Sequence, residues 1–189
     1  MRKKYKFLVN DQLYFVSFSI VHWIDLFIRN EYKDILLESF TYCINNKGME
    51  LYGYCIMTSH VHLIIGTTKI PLSDIMRDMK KHTSSRLKKM ILSHSAESRR
   101  EWMLNMMRES GIKNSNNKDF QLWRQDNHPI ELNHAKILYQ KLNYMHLNPV
   151  EAGFVEREED WLYSSALNYH GLPGKIEVTL IQPKIITHG

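Results

Sequence analysis

The elements of this 189-residue chain read in the order β-α-β-β-α-β, which predicts an α+β fold. The expected architecture is a ferredoxin-like antiparallel sheet with helices on one face and an additional inserted helix. Three observations carry this prediction. Residues 13–23 are rich in β-branched and aromatic types, and residues 31–46 place apolar side chains at helical spacing. Two apolar runs, at about 50–57 and 60–67, then flank the short Met57-Thr58-Ser59 connection and read as a hairpin.

Each element has its own justification. The first helix presents Tyr32, Ile35, Leu36, Phe40, Cys43 and Ile44 on one stripe and ends before Asn46-Lys47-Gly48, a helix-stop signal. A second helix runs from about Ser73 to Leu92, with Ser73 and Asp74 suited to its first turn. Residues 93–119 form an inserted segment whose Trp102, Met103, Met106 and Met107 repeat at helical spacing. Gly111 suits the end of that helix, and the Asn/Ser cluster at 114–117 suits a loop. Phe120–Trp123 and Pro129–Leu132 are short strand candidates. Residues 134–148 are strongly helical, and Leu138, Leu142 and Met145 form the stripe that would fix this helix against the sheet. No repeat or low-complexity tract interrupts the pattern. The expectation is one domain over 1–189, with the insertion packed on it and a short C-terminal extension at about 170–189.

Composition narrows the function classes. Hydrophobic residues make up 43% of the chain, yet no apolar run reaches the length of a membrane span and no secretory pattern opens it. Cys43 and Cys55 are too few for a disulfide framework or a Cys-rich zinc site. A cytoplasmic protein with no membrane partner is expected. The net charge of +5 and pI near 9.1 favour a polyanionic partner.

Two constellations carry chemistry. His60 and His62 open the second strand of the hairpin and project from the same face, because side chains alternate along a strand. Two neutral imidazoles on a rigid strand can hold a divalent ion, or they can simply be satisfied histidines. The second constellation is on the late helix, where Tyr144 and Asn148 stand four residues apart on one face. A phenol is a covalent nucleophile when activated, or an amphipathic residue at the edge of a core. Asn148 precedes Pro149, with Glu151 three residues on. That pattern favours an N-cap of a new short helix, in competition with a metal contact through the same oxygen.

These motifs, in this order, resemble the single-tyrosine HUH transposases, and within them the REP-associated tyrosine transposases. The resemblance rests on His60-Val61-His62, the run from Tyr144 through Asn148-Pro149 to Gly153, and Trp161 to Ser164-Ser165. It also takes in Lys80–Ser84 and Phe120–Trp123, and covers about residues 10–182. The inserted segment, Glu97–Trp102 to Asn114–Asn117, looks like one found in a subgroup of these proteins.

The resemblance implies that His60, His62 and Asn148 bind a divalent metal ion, Mg2+ or Mn2+. Tyr144 would attack the scissile phosphate of single-stranded DNA, leaving a 3′-OH and a 5′-phosphotyrosine. Hairpins or imperfect palindromes are the implied recognition elements. A compatible surface is offered by Arg77, Lys80, Lys81, Arg86, Lys88 and Lys89 with Ser84 on the second helix, and by Trp123, Arg124 and Tyr163 as stacking groups. The alternatives are a domesticated hairpin-binding protein without cleavage activity and a phosphodiesterase that uses water. Monomer and homodimer are both open, and with them whether the tyrosine acts in cis or in trans.

Overall fold

The computed structural model describes residue 7 and residues 12–115, 119–125 and 127–182. The basic terminus Met1–Lys6, part of the 114–117 cluster and the end of the C-terminal extension lie outside these residues.

Strand β1 (Tyr14–Ser19) is followed by helix α1 (Asn30–Lys47) and the hairpin β2 (Met49–Ile56) and β3 (His60–Thr67). Helices α2 (Leu72–Ser93) and α3 (Arg100–Ile112), strand β4 (Ile130–Glu131) and helices α4 (Ala135–Glu151) and α5 (Ala166–Tyr169) complete the order. The sheet has four strands in the order β2-β3-β1-β4, and every neighbouring pair is antiparallel. This is the expected ferredoxin-like arrangement.

Alternation along the strands sorts the core into two layers. Tyr14, Val16 and Phe18 of β1 and Val61, Leu63 and Ile65 of β3 face α1 and α2, where they meet Leu36, Phe40, Ile75 and Met79. Phe15 and Ile64 point the other way and meet Leu142 and Met145 of α4. The two crossover helices therefore share one face, as read, and α4 covers the opposite one. In β2 the register shifts between Leu51 and Gly53, a bulge that puts both Leu51 and Tyr54 in the α1/α2 layer. Gly53 at this bulge is where α4 comes closest: a Cβ there would stand 2.5 Å from the terminal carbon of Met145.

Several boundaries differ from the sequence reading, each for a local reason. Strand one stops at Ser19, and Val21–Trp23 form a 3-10 turn in which His22 and Trp23 have φ of 55° and 56°. The apolar residues there, Ile20, Val21 and Ile24, are buried in the turn and not in a ladder. Phe120–Trp123 contributes a single bridge, Ile20 to Trp123, because β1 has already left the sheet. Helix α1 ends as expected, with Gly48 in the left-handed conformation at φ 72°. Helix α3 runs through Gly111, and that glycine instead allows close approach of the Phe120 backbone. Met103 and Met107 are buried against the core, while Trp102 faces solvent.

The insertion is tied down by one buried carboxylate. Glu97 accepts hydrogen bonds from Arg29 Nε at 3.0 Å, Arg99 Nε at 3.1 Å and Tyr32 Oη at 3.2 Å. Burial works to raise the pKa of Glu97, but the donors from Arg99 and Arg29 overcome it and hold the carboxyl at about 2.

A candidate metal and tyrosine site

Helix α4 lays its apolar stripe on the sheet, and this seats Tyr144 and Asn148 over the start of β3. Leu142, two residues before Tyr144, and Met145, three before Asn148, are buried between helix and sheet. The far end of the helix is held by His146, whose Nε2 lies 2.8 Å from Ser165 Oγ. Ser165 Oγ in turn accepts from the Tyr54 amide at 2.9 Å. Burial lowers the His146 pKa to about 4, so this bridge is made by a neutral ring.

The N-cap reading of Asn148 is corrected by this helix. Helix α4 continues through Pro149 to Glu151, and no second helix starts at Asn148. Pro149 has no N–H to offer the Met145 carbonyl, and the helix ends two residues later, before Gly153 turns the chain at φ 74°. The Asn148 side chain is thereby released from capping. Its Oδ1 lies 3.2 Å from His60 Nε2.

The two histidines differ in their surroundings. His60 is satisfied at both nitrogens with its proton on Nε2, which donates to Asn148 Oδ1 at 3.2 Å while the Ser59 hydroxyl, 3.3 Å away, donates to Nδ1. Its pKa is lowered, chiefly by burial, with the Asn148 contact opposing. His62 is only 3% exposed, and neither ring nitrogen has a hydrogen-bond partner. Burial, then repulsion from His60 and Lys141, pushes its pKa down to about 3, so the imidazole is neutral. A buried imidazole with two orphaned nitrogens is a costly arrangement that a Lewis acid would relieve. The rings of His60 and His62 are 4.8 Å apart, and His62 stacks on Phe15 at 5.3 Å.

Tyr144 completes the group. Its ring meets the His62 ring edge-on at 5.4 Å, and it is 41% exposed. All four residues are gathered within a single chain. Among the described residues no three His, Cys, Asp or Glu side chains gather as a metal site; the Asn148 carboxamide oxygen is a further oxygen donor beside His60. Two neutral imidazoles and an amide oxygen fit a divalent ion with positions left open.

The expected DNA-contacting residues are not all brought to this site. Helix α2 lies on the opposite face of the sheet from His60, His62 and Tyr144. Arg77 pairs with Asp74 and Asp78, and Arg86 pairs with Glu38. Lys80 donates to the Arg124 carbonyl at 2.7 Å and Asn127 Oδ1 at 2.9 Å, and Lys88 sits over the Phe120 ring. Lys81 and Lys89 are exposed on this far side and Ser84 is half-buried. A 720 Å³ cavity lies between α1 and α2, bordered by Lys81, Arg86 and the Lys47–Asp78 pair, again away from the histidines.

Trp123 and Tyr163 are corrections. Trp123 is buried against Phe18 and Phe27 and donates to Thr83 Oγ1 at 3.0 Å, so its ring is closed to a base. Tyr163 is buried as well, and its hydroxyl donates to Asp34 at 2.8 Å. Arg124 does come near the site, over the exposed ring of Trp23, which meets His60 edge-on at 5.6 Å. Lys141 also lies at the site, its ammonium 5.3 Å from the Tyr144 ring and 5.2 Å from Phe15. The sequence reading missed both Trp23 and Lys141. Lys141 was detectable, since it stands three residues before Tyr144 on the same helix face. Trp23 was not, because its position depends on the left-handed turn.

Comparison with known proteins concerns the family and the fold. Residues 25–105 match the family model described as IS200-like transposase, a span that holds both histidines and ends before Tyr144. No curated protein matches the sequence. Among solved structures, a REP-associated tyrosine transposase bound to a REP hairpin is similar, with a TM-score of 0.64 and 14% identity. That alignment covers 97% of this chain and 96% of the other. A proposed transposase from Deinococcus radiodurans R1 aligns at 23% identity over 46% of this chain and 67% of its own, with a TM-score of 0.36. The resemblance to transposases is thus met again in the family model, and the fold is shared with the REP-associated tyrosine transposase. No described helix is long and apolar enough to cross a membrane.

Proposed function

We propose that this chain is a metal-dependent transposase that cleaves and rejoins single-stranded DNA through a phosphotyrosine at Tyr144. The observation that carries this reading is the meeting of Tyr144, His60, His62 and Asn148 from elements more than 80 residues apart, with His60 and Asn148 separated by 88 positions. His60, His62 and Asn148 would hold a magnesium or manganese ion, which when bound polarises the scissile phosphate and stabilises the charge that develops on it.

The chain's own residues account for the remaining chemistry. The Tyr144 oxygen forms a bond to phosphorus as its proton passes to solvent, and the P–O3′ bond breaks. The departing oxygen takes up a proton and becomes a free 3′-OH, while the 5′ side stays on the tyrosine. Attack by another 3′-OH reverses these steps and rejoins strands without external energy. Lys141 supplies a positive charge beside Tyr144 to draw in the phosphate. Phe15 and the apolar stripe of α4 hold His62 and Tyr144 at a fixed separation. A DNA hairpin is the proposed recognition element; the REP-associated tyrosine transposase of similar fold is bound to a REP hairpin.

The test is an adduct gel using end-labelled single-stranded DNA with a hairpin, and manganese. Wild type and Tyr139→Phe form a covalent adduct, whereas Tyr144→Phe binds the DNA and forms none. An adduct that survives in Tyr144→Phe but vanishes in Tyr139→Phe overturns the assignment. Hairpin binding by the wild type without any adduct overturns the cleavage reading in favour of a binding protein.

A further inference from the structure

We infer that Trp23 and Arg124 form a base-stacking subsite that seats the nucleobase next to the phosphate at Tyr144; this rests on the proposed DNA-cleaving reading. The turn carrying Trp23 is strained. His22 and Trp23 are consecutive non-glycine residues in the left-handed region, with φ of 55° and 56°. Such conformations persist only where the surroundings impose them, and they concentrate at functional sites. Here the turn is anchored from three sides. The Trp23 amide donates to the Ile20 carbonyl at 3.1 Å, the Val21 amide donates to the Leu122 carbonyl at 2.9 Å, and His22 Nε2 lies 2.8 Å from Ser110 Oγ on α3.

The result is an indole presented outward and not buried. Trp23 is 56% exposed, whereas its neighbours Val21 and Ile24 are in the core. Its ring and the His60 ring make a T-shaped pair with centres 5.6 Å apart, and the Arg124 guanidinium carbon lies 5.5 Å from its ring centre. Arg124 is fixed by its own amide, which donates to the Ser19 carbonyl at 2.9 Å. An exposed aromatic face paired with a cation is the recurrent platform for single-stranded nucleic acid, because the ring stacks on any base and the cation meets the phosphate. Contact with His60 places this platform beside the candidate cleavage centre and not at a remote surface.

The experiment separates stacking from cleavage by measuring binding in a Tyr144→Phe background, which cannot form the adduct. The probe is a hairpin-bearing single-stranded oligonucleotide in which one abasic residue is walked along the unpaired segment. One abasic position weakens binding about tenfold, the loss expected for a single base–aromatic stack. Trp23→Gly weakens binding to the intact oligonucleotide by about the same factor and becomes insensitive to that position, while Trp23→Phe keeps most of both. Glycine also suits a positive φ, so Trp23→Gly unfolds at the same or higher urea concentration, which removes misfolding as the cause. Equal abasic profiles with and without Trp23→Gly overturn the subsite, and a normal adduct in an otherwise wild-type chain would then leave the cleavage reading standing. An abasic-sensitive, Trp23-dependent profile, with no adduct formed by the chain that keeps Tyr144, supports the subsite and overturns only the cleavage reading.

Discussion

Replacing Gly53 by alanine tests how helix α4, and with it Tyr144 and Asn148, is held over the histidines. A methyl group at Gly53 would stand 2.5 Å from the terminal carbon of Met145 and 3.4 Å from Leu142 Cδ1 and Ser165 Oγ. Met145 is fully buried, so it cannot escape into solvent, and overpacking of this kind costs about 1–3 kcal/mol. The clash falls on the flexible end of a methionine, which places the expected loss at about 1 kcal/mol. Met145→Ala alone leaves a cavity and costs about 2–5 kcal/mol. In the double variant the methyl introduced by Gly53→Ala enters the space that Met145 vacated. The combined loss should then fall short of the sum by about 1 kcal/mol. Urea unfolding followed by circular dichroism measures all three, with m unchanged; at an m of about 1–3 kcal/mol/M, the coupling moves the midpoint by roughly 0.3–1 M. Adduct formation by Gly53→Ala should drop, and Met145→Ala in the same chain should restore part of it. Strictly additive losses would refute the account of Gly53 as the seat of α4.

Three further outcomes are expected. His62→Ala or Asn148→Ala should abolish adduct formation at modest manganese while leaving hairpin binding intact, and full cleavage by either variant would sink the metal assignment. Lys141→Ala should weaken DNA binding and reduce the slope of log affinity against log salt by about 0.7, one single-strand phosphate contact, whereas Lys89→Ala on the far face should leave that slope unchanged. Stability should fall as the pH is lowered from about 6.5 to about 4, because burial holds His146 near 4 and the unfolded chain takes up the proton first. The sign follows from a depressed folded-state pKa: the contribution is intact above about 6.5 and is lost on acidification. Its size is roughly 2–3 kcal/mol, and thermal unfolding of His146→Gln should show a correspondingly flatter dependence on pH.

Much of the fold was legible because local patterns report local geometry. The two apolar runs marked β2 and β3 to within a residue, Asn46-Lys47-Gly48 marked the end of α1, and the spacing of the histidines put both on one strand face. The four-residue spacing of Tyr144 and Asn148 likewise put them on one helix face. The family resemblance then joined the two pairs into one proposed chemistry. Three features lay beyond any such pattern. An apolar stripe says that a helix is covered but not by which side of the sheet, so only the packed structure shows the basic helix α2 and the tyrosine on opposite faces. An aromatic residue reads the same whether buried or displayed, and the core closed over Trp123 while the left-handed turn put Trp23 in solvent. Asn148 had two partners to choose from, the backbone of a new helix or His60. Continuation of α4 through Pro149 decided for the histidine, because a side chain near the end of a seated helix reaches across to a distant strand, which no run of adjacent residues can encode.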